Sequence, residues 1–280
     1  MTVPTGKERR RLRMIEFVDT HTHLFCEEFL EDREDAVLRA VEAGVRTLCL
    51  PCITEESIPQ MKDMCMKYPE VCHAMIGLHP TEIDDDFESV LARMYDELKK
   101  NRDYIAVGEV GLDLYWDTTR KKDQIKAFET QIGWANEMKL PLAIHSRNAF
   151  DELYSIMDSH RSEGLSGVFH CFSGSEDEAK KLLSFDGFFL GIGGVVTYKK
   201  SELPQLLASV PLERVLLETD SPYLAPVPKR GKRNESSYIP FIAQKLAEIY
   251  ACPVEHIAEV TTANARALFK KIMKNGISKD

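Results

Sequence analysis

Two histidines separated by one residue are the first feature of this sequence that can carry chemistry. His21 and His23 follow a short, mostly apolar run, 14–18, whose composition predicts a β-strand. On an extended chain, residues i and i+2 point the same way, so both imidazoles project from one face of the strand end. Neutral imidazole is a common ligand of zinc and similar cations. The pair is therefore a candidate metal site, although two polar residues in a loop are the alternative interpretation.

Other chemically capable residues stand at the ends of further apolar segments. In addition to 14–18, the sequence predicts strands over 45–50, 71–78, 104–109, 141–145, 167–170, 187–190 and 215–220. At or just after the ends of these segments lie three histidines and two carboxylates, namely His79, Glu109, His145, His170 and Asp220.

Helical patterns alternate with these strands. They cover 35–43, 58–67, 87–100, 121–138, 149–159, 176–184, 203–208, 239–251 and 254–271. Eight strands, each followed by helical pattern, predict a single α/β domain, a parallel (β/α)8 TIM barrel over residues 14–274. An open doubly wound sheet is the competing fold, but it needs a glycine-rich turn after the first strand, where 20–23 stand instead. The basic residues 1–13 are expected to be a disordered extension.

The barrel brings the candidate residues together. In such a barrel the C-terminal ends of the strands line the catalytic mouth, so five of the eight histidines converge there with both carboxylates. Glu109 can bridge two cations, and the imidazoles and Asp220 can complete the ligand sets of both. Two metal ions about 3.5–4 Å apart suit in-line displacement at phosphorus, one activating water and the other stabilising the leaving oxygen.

Composition narrows the class of protein. The 280 residues carry a net charge of −9, which argues against a protein that coats nucleic acid. It does not exclude an enzyme that holds a strand end with a local basic patch, and the run 229–233 after the last strand overhangs the mouth. Seven scattered cysteines indicate reduced thiols in a cytoplasmic protein. The sequence shows neither a secretory signal nor an apolar run of the ~20 residues that a membrane span needs.

Several other residues have two interpretations each. Tyr115, Trp116 and Tyr223 fall in mouth loops, where they can stack on bases or pack at the rim. Asp113 can support a metal ligand or cap a loop. The C-x-x-C spacing of 49–52 matches a redox motif, but two buried strand cysteines are the preferred interpretation.

Six segments carry a resemblance to a known family. They are 17–24, 77–80, 108–113, 144–147, 170–174 and 218–224. Together, and in this order, they resemble the motifs of the TatD-type metal-dependent deoxyribonucleases from residue 14 to about residue 269. The resemblance implies an amidohydrolase-like barrel that hydrolyses DNA phosphodiesters, typically as an exonuclease.

The resemblance also implies roles for individual residues. His21, His23, Glu109 and Asp220 would bind a first metal ion, and His145 and His170 would bind a second that shares Glu109. Asp220 would also act as the base towards the attacking water, and His79 would face the scissile phosphate. Expected substrate contacts are Arg147, Asp113, Lys229, Arg230, Lys232 and Arg233. The sequence departs from the family pattern at Phe25, Asn148, Lys229 and 236–237.

Three functional hypotheses result. The first is a monomeric hydrolase that acts on single-stranded DNA ends, with RNA also open as a substrate, and that uses one or two divalent ions of Zn, Mn or Mg. The second is hydrolysis of a small amide, lactone or phosphoester on the same barrel. The third is a non-enzymatic barrel that binds DNA or a protein and uses the metal as a structural staple.

Overall fold

Eight parallel strands in chain order form the centre of the molecule. The computed structural model describes residues 15–272, so the predicted extension 1–13 lies outside the described residues. Within them, one sheet has the order β1 to β8. The strands are β1 Phe17–Asp19, β2 Val45–Pro51, β3 Cys72–Ile76, β4 Ala106–Asp113, β5 Leu142–Arg147, β6 Gly167–Phe169, β7 Phe188–Ile192 and β8 Val215–Leu217.

Helices follow the strands around the outside. They are α1 Arg33–Glu42, α2 Ile58–Lys67, α3 Phe87–Lys100, α4 Lys121–Met138, α5 Phe150–Ser159, α6 Glu176–Leu183, α7 Leu203–Leu207, α8 Ile239–Ile249 and α9 Val254–Leu268. Helices α2, α3 and α4 have the predicted bounds. The ring closes where the Thr20 N–H donates to the Leu217 carbonyl at 3.0 Å. The (β/α)8 barrel prediction is confirmed. No helix among residues 15–272 is long and apolar enough to cross a membrane.

Strand β4 differs most from its prediction, because it continues past Glu109 to Asp113. Its pairing with β5 shifts register between Gly108 and Val110, so Glu109 leaves the regular ladder. Gly111 has φ +136°, and a Cβ there would lie 2.0 Å from the His145 carbonyl oxygen. Only glycine tolerates this close approach of the two strands. The extension of β4 therefore depends on glycine and brings Asp113 next to β5.

A separate apolar cluster fills the inside of the barrel. It takes one residue from each strand and closes with residues at the end of α9. Phe269 of that end is fully buried. The nearby Lys271 ammonium donates to the carbonyl oxygens of Arg102 and Tyr104, just before β4. The apolar cluster and these contacts therefore close the end of the barrel opposite the mouth, and we call them the plug. The strand residues in the cluster are Val18, Cys49, Met75, Ala106, Ala143, Val168, Phe189 and Leu216.

The cysteines are free thiols. Cys49 and Cys52 are fully buried in and just after β2, as the strand interpretation of the C-x-x-C spacing predicts.

Phe269→Ala is expected to lower the free energy of unfolding by about 3–5 kcal/mol, because it opens a cavity in the plug. Chemical denaturation of both proteins measures the difference. Phe241→Ala is the matched control, since Phe241 is 37% exposed on α8 and its loss should cost less than about 1 kcal/mol. Equal losses for the two variants would show that α9 does not seal the barrel.

Candidate metal centre

The Glu109 carboxylate is the centre of the site. It is almost completely buried at the mouth and faces imidazole nitrogens from five histidines. The distances from its oxygens are 3.0 Å to His21 Nε2, 3.0 Å to His145 Nδ1, 3.3 Å to His79 Nε2, 3.6 Å to His23 Nε2 and 3.8 Å to His170 Nε2.

Asp220 supplies the second carboxylate. It follows β8 in a left-handed conformation, with φ 57°. Its Oδ1 lies 3.4 Å from His23 Nε2 and 3.6 Å from His170 Nε2. The barrel therefore brings together all seven residues that the sequence placed at strand ends.

Among residues 15–272, potential ligand atoms at the mouth form four groups, in each of which the atoms lie within 4.8 Å of one another, and three of these groups share members. One of them, His21 with His23 and Asp220, contains three of the four residues of the first ligand set that the resemblance implied, without Glu109. In the group around Glu109, His79 takes the place of His170. The four groups are His21, His23 and Asp220; His79, Glu109 and His145; His170, Cys171 and Asp220; and His21, His170 and Glu218.

Burial and charge shift the pKa values of this cluster. Burial alone raises the pKa of Glu109, but the surrounding imidazoles, led by His21, outweigh burial and hold the pKa well below its usual range. Burial also lowers the pKa of His170, yet Glu218, Asp220 and Glu109 raise it to about 10. The His21 ring stacks on the His170 ring with centroids 3.4 Å apart. Burial and the neighbouring His170 lower the pKa of His21 to about 4, so His21 is neutral.

The donor set fits a divalent cation. Among residues 15–272, the buried Nδ1 atoms of His21 and His23 have no hydrogen-bond partner, although each Nε2 faces a carboxylate. Clustered imidazoles and carboxylates in a cleft are the ligand types that Zn²⁺ and Mn²⁺ accept. A bound cation would take the Nε2 lone pairs that converge on Glu109 and Asp220.

Glu218 is a residue whose role the sequence alone did not reveal. It is fully buried, and its Oε1 lies 3.0 Å from His170 Nδ1 and accepts the Cys171 N–H at 2.5 Å. A Cβ on Gly191 would lie 2.2 Å from its Oε2, so glycine leaves the space for this carboxylate. The available signal was its spacing, because Glu218 stands two residues before Asp220, just as His21 stands before His23. Such carboxylates orient a ligating imidazole and raise its basicity.

Asp113 caps the loop after β4, and it also contacts His145, one of the residues expected to bind metal. Its Oδ2 lies 3.0 Å from His145 Nε2. Its Oδ1 accepts the N–H groups of Tyr115 and Trp116, at 3.0 and 3.3 Å, and so caps the loop after β4. Burial lowers the pKa of His145, but the hydrogen bonds with Asp113 and Glu109 outweigh burial and raise it to about 9. Because its side chain is buried, Asp113 holds other groups in place and is not presented at the mouth.

Asp19 is another buried carboxylate that lies within one of the six segments but had no role assigned from the sequence. Its oxygens accept the Thr219 N–H at 2.9 Å and the Thr219 hydroxyl at 2.6 Å. Burial raises the pKa of Asp19 to about 7, despite these hydrogen bonds. The contacts join the end of β1 to the chain after β8, and thereby fix the spacing between the His21–His23 pair and Asp220.

The predicted basic contacts have different environments. Arg233 pairs with Asp32, with Nη1 2.7 Å from Oδ1, and donates to the Glu28 carbonyl. Arg230 lies over the Tyr198 ring at 4.1 Å, and Lys229 lies 5.1 Å from the Tyr238 ring. Lys232 is exposed on the same loop. Arg233 therefore anchors the loop 229–233, which we call the basic loop. The side chains of Lys229, Arg230 and Lys232 project towards the surface of this loop.

Comparisons with known proteins place the chain in a family. Residues 18–270 match the model of the family described as TatD related DNase. A metal-dependent hydrolase of Bacillus subtilis, YabD, itself uncharacterized, is 37% identical over 253 residues, which are 90% of this chain and 98% of that protein. The 3'-5' ssDNA/RNA exonuclease TatD of Erwinia tasmaniensis is 30% identical over 90% of this chain and 98% of its own length.

Solved structures agree with this result. The crystal structure of YjjV, a TatD homologue from Escherichia coli K12, superposes with a TM-score of 0.86 at 29% identity and covers 91% of this chain and 98% of that one. The chain belongs to the TatD related DNase family. The predictions of a TatD-type, metal-dependent hydrolase that binds a divalent metal are thereby confirmed at the level of the family.

Glu218→Gln is expected to weaken Zn²⁺ binding about 10–100-fold, because the amide keeps the shape of the side chain but not the charge that orients His170. Calorimetric titration of the metal-free proteins measures the dissociation constant. Glu213→Gln, at an exposed site in the turn before β8, is the matched control. Equal affinities in all three proteins would rule out this positioning role.

Metal binding is expected to release about two protons per chain at pH 7. The pKa values of His145 and His170 are raised to about 9 and about 10, so both are imidazolium ions before they bind and must lose a proton to become ligands. Apparent affinity should consequently increase as pH rises from 6 to 8. Titrations in buffers with different ionisation enthalpies count the protons, and buffer-independent heats would contradict this expectation.

Proposed function

We propose that this protein is a metal-dependent phosphodiesterase that removes nucleotides from single-stranded DNA ends. The observation that carries the proposal is the buried Glu109 carboxylate, which five imidazoles surround at the open end of a barrel. Membership of the TatD related DNase family supports the reaction, and a relative named as a 3'-5' ssDNA/RNA exonuclease supports the substrate and includes RNA.

The proposed metal ligands form two sets, one on each side of Glu109. His21, His23 and Asp220 would hold one divalent ion together with Glu109, and His145 and His170 would hold another together with the same carboxylate. Bound ions would lower the pKa of water and offset the negative charge that develops on the phosphate oxygens. The imidazole-rich donors favour Zn²⁺ or Mn²⁺ over Mg²⁺, which prefers oxygen ligands.

Asp220 is the proposed general base. It is the more exposed of the two central carboxylates, with 14% side-chain exposure against 4% for Glu109. Burial raises the pKa of Asp220, but His170 and His23 outweigh burial and lower it. Asp220 is therefore ionised at neutral pH and can accept the proton of the attacking water.

His79 is the proposed contact to the scissile phosphate. Burial lowers its pKa, so the ring is neutral at pH 7. Its Nδ1 lies 3.2 Å from the Thr81 backbone nitrogen and 2.7 Å from the Thr81 hydroxyl, and in the tautomer in which Nδ1 accepts the Thr81 N–H the ring proton is on Nε2. That Nε2–H points into the centre, 3.3 Å from Glu109, where it can donate to a phosphate oxygen.

The basic loop supplies the proposed backbone contacts. Lys229, Arg230 and Lys232 follow β8, and they concentrate positive charge at the mouth of a chain whose net charge is −9. Cations placed in this way attract phosphates without sequence preference. The proposal takes the protein to be a cytoplasmic monomer, and the seven free thiols support a reducing compartment.

Asp220→Asn is expected to lower the rate of single-stranded DNA hydrolysis about 10²–10⁴-fold, because the amide cannot accept the proton of water. Glu109→Ala should abolish both hydrolysis and metal binding. The assay follows end-labelled single-stranded DNA after chelation and return of Mg²⁺, Mn²⁺ or Zn²⁺, and a ladder that shortens from one end gives the polarity.

Asp186→Asn, in the exposed turn before β7, is the control and should retain full activity. Wild-type protein that leaves DNA and RNA intact with every metal would overturn the proposed substrate. Undiminished hydrolysis by Glu109→Ala would overturn the proposed centre.

A further inference from the structure

Two exposed aromatic rings and a cation form a cluster beside the metal centre. Trp116 is 69% exposed and Tyr115 is 52% exposed in the loop after β4. The Arg147 guanidinium, at the end of β5, lies 3.8 Å from the centroid of the Tyr115 ring and 5.3 Å from that of Trp116. The two rings meet edge to face, with centroids 4.9 Å apart. We call these three residues the aromatic cluster.

The cluster is held in a defined position relative to the centre. Asp113 binds the N–H groups of Tyr115 and Trp116 with one oxygen, and its other oxygen faces the imidazole of His145. Leu114 N–H donates to the Arg147 carbonyl at 2.9 Å, which joins the loop to β5. A single carboxylate therefore connects this exposed loop to a residue that contacts Glu109, so the rings are attached to the reacting end of the barrel.

A cleft lies between two residues of the cluster, Tyr115 and Arg147, and one residue of the centre, His170. Its volume is about 640 Å³, which is in the size range of small-molecule sites. Tyr115 and Arg147 stand on one side, Phe172 and Ser173 line it from the loop after β6, and His170 also lines it. The cleft has both flat apolar surfaces and polar groups, which suits a planar, heteroatom-rich ring.

The basic loop lies across the mouth from this cluster. In an eight-stranded barrel with the order β1 to β8, strands β4 and β8 are on opposite sides. The aromatic cluster follows β4 and β5, and the cations of the basic loop follow β8. A single strand that crosses the mouth would therefore meet cations on one side of Glu109 and aromatic rings on the other.

We propose that the aromatic cluster is a nucleobase-stacking subsite, which holds the base of a nucleotide next to the scissile phosphate. Bases of single strands stack on aromatic rings and on the planar arginine guanidinium, whatever their sequence. Arg147 presents such a plane, already oriented by two rings. This inference rests on the proposed function, because it assigns a site to the base of that same substrate.

Binding without hydrolysis tests the subsite directly. The chain has two tryptophans, and the other, Trp134, is 5% exposed and stacks on Tyr95. A base that stacks on Trp116 will quench tryptophan fluorescence. The titration uses the full chain in excess chelator, with a short oligodeoxythymidine and with an abasic strand of the same length. We expect quenching and at least about tenfold tighter binding for the strand with bases.

Three variants define the source of that signal. Because Trp116 is the fluorescent reporter, binding to the Trp116 variants is measured by fluorescence anisotropy of end-labelled strands. Trp116→Ala should bind the oligodeoxythymidine about tenfold more weakly and should lose the preference over the abasic strand. Trp116→Phe should keep the preference but lose the quenching, because a phenyl ring still stacks. Met66→Ala is the matched control, since Met66 is 70% exposed on α2 outside the mouth, and this variant should behave like wild type.

The results separate the subsite from the reaction. Equal binding of the two strands by wild type, or an unchanged preference in Trp116→Ala, overturns the subsite, even if metal-loaded protein degrades DNA. Preference and quenching that disappear with Trp116 support the subsite, even if no metal restores hydrolysis. In the latter case the proposed function fails and the base-binding site stands.

Discussion

The burial of the Glu109 charge is the constraint on which the rest of this structure depends. A carboxylate removed from water costs several kcal/mol unless polar groups or ions compensate it. Five imidazoles provide that compensation, and they reach Glu109 from the ends of four strands, β1, β3, β5 and β6. Imidazoles crowded in this way repel one another once charged, so the cluster needs neutral rings at some positions and charged rings at others. A bound divalent cation would resolve this conflict, because one concentrated charge would replace several dispersed protons.

The supporting carboxylates explain how the imidazoles keep their orientation. Asp113 faces the outer nitrogen of His145, and Glu218 faces the outer nitrogen of His170. Both acids are buried, so neither is free to rotate towards solvent. Two glycines leave room for these acids, because a Cβ at either position would collide with a neighbour. Gly111 permits the close approach of β4 and β5, and Gly191 leaves the space for Glu218. The imidazoles thus surround Glu109, and the outer carboxylates of Asp113 and Glu218 hold two of these imidazoles, His145 and His170, in place.

The mouth divides its surface between two kinds of contact. The loop after β8 presents cations, while Arg233 and Asp32 secure that loop to the segment before α1. The loop after β4 presents aromatic rings, which Asp113 secures. A nucleic acid has phosphates on one side and bases on the other, so this division matches the polymer better than it matches a small ester. In the proposed function, the cations of the basic loop would attract a polyanion in spite of the net charge of −9.

The sequence by itself determined the element order, the barrel and the residues at its mouth. Apolar periodicity is local information, and long helices such as α3 and α4 begin and end at the predicted residues. Once the barrel is chosen, every strand-end residue must enter one cleft, whatever its distance along the chain.

The tertiary structure alone decided which partners those residues have. Glu218 faces His170, 48 positions earlier, only because β6 and β8 flank β7, where Gly191 leaves the space. Arg233 is bound to Asp32 across 201 residues, which no local pattern reveals. Side-chain partners depend on register, close approach and burial, and these follow from how the strands pack in three dimensions.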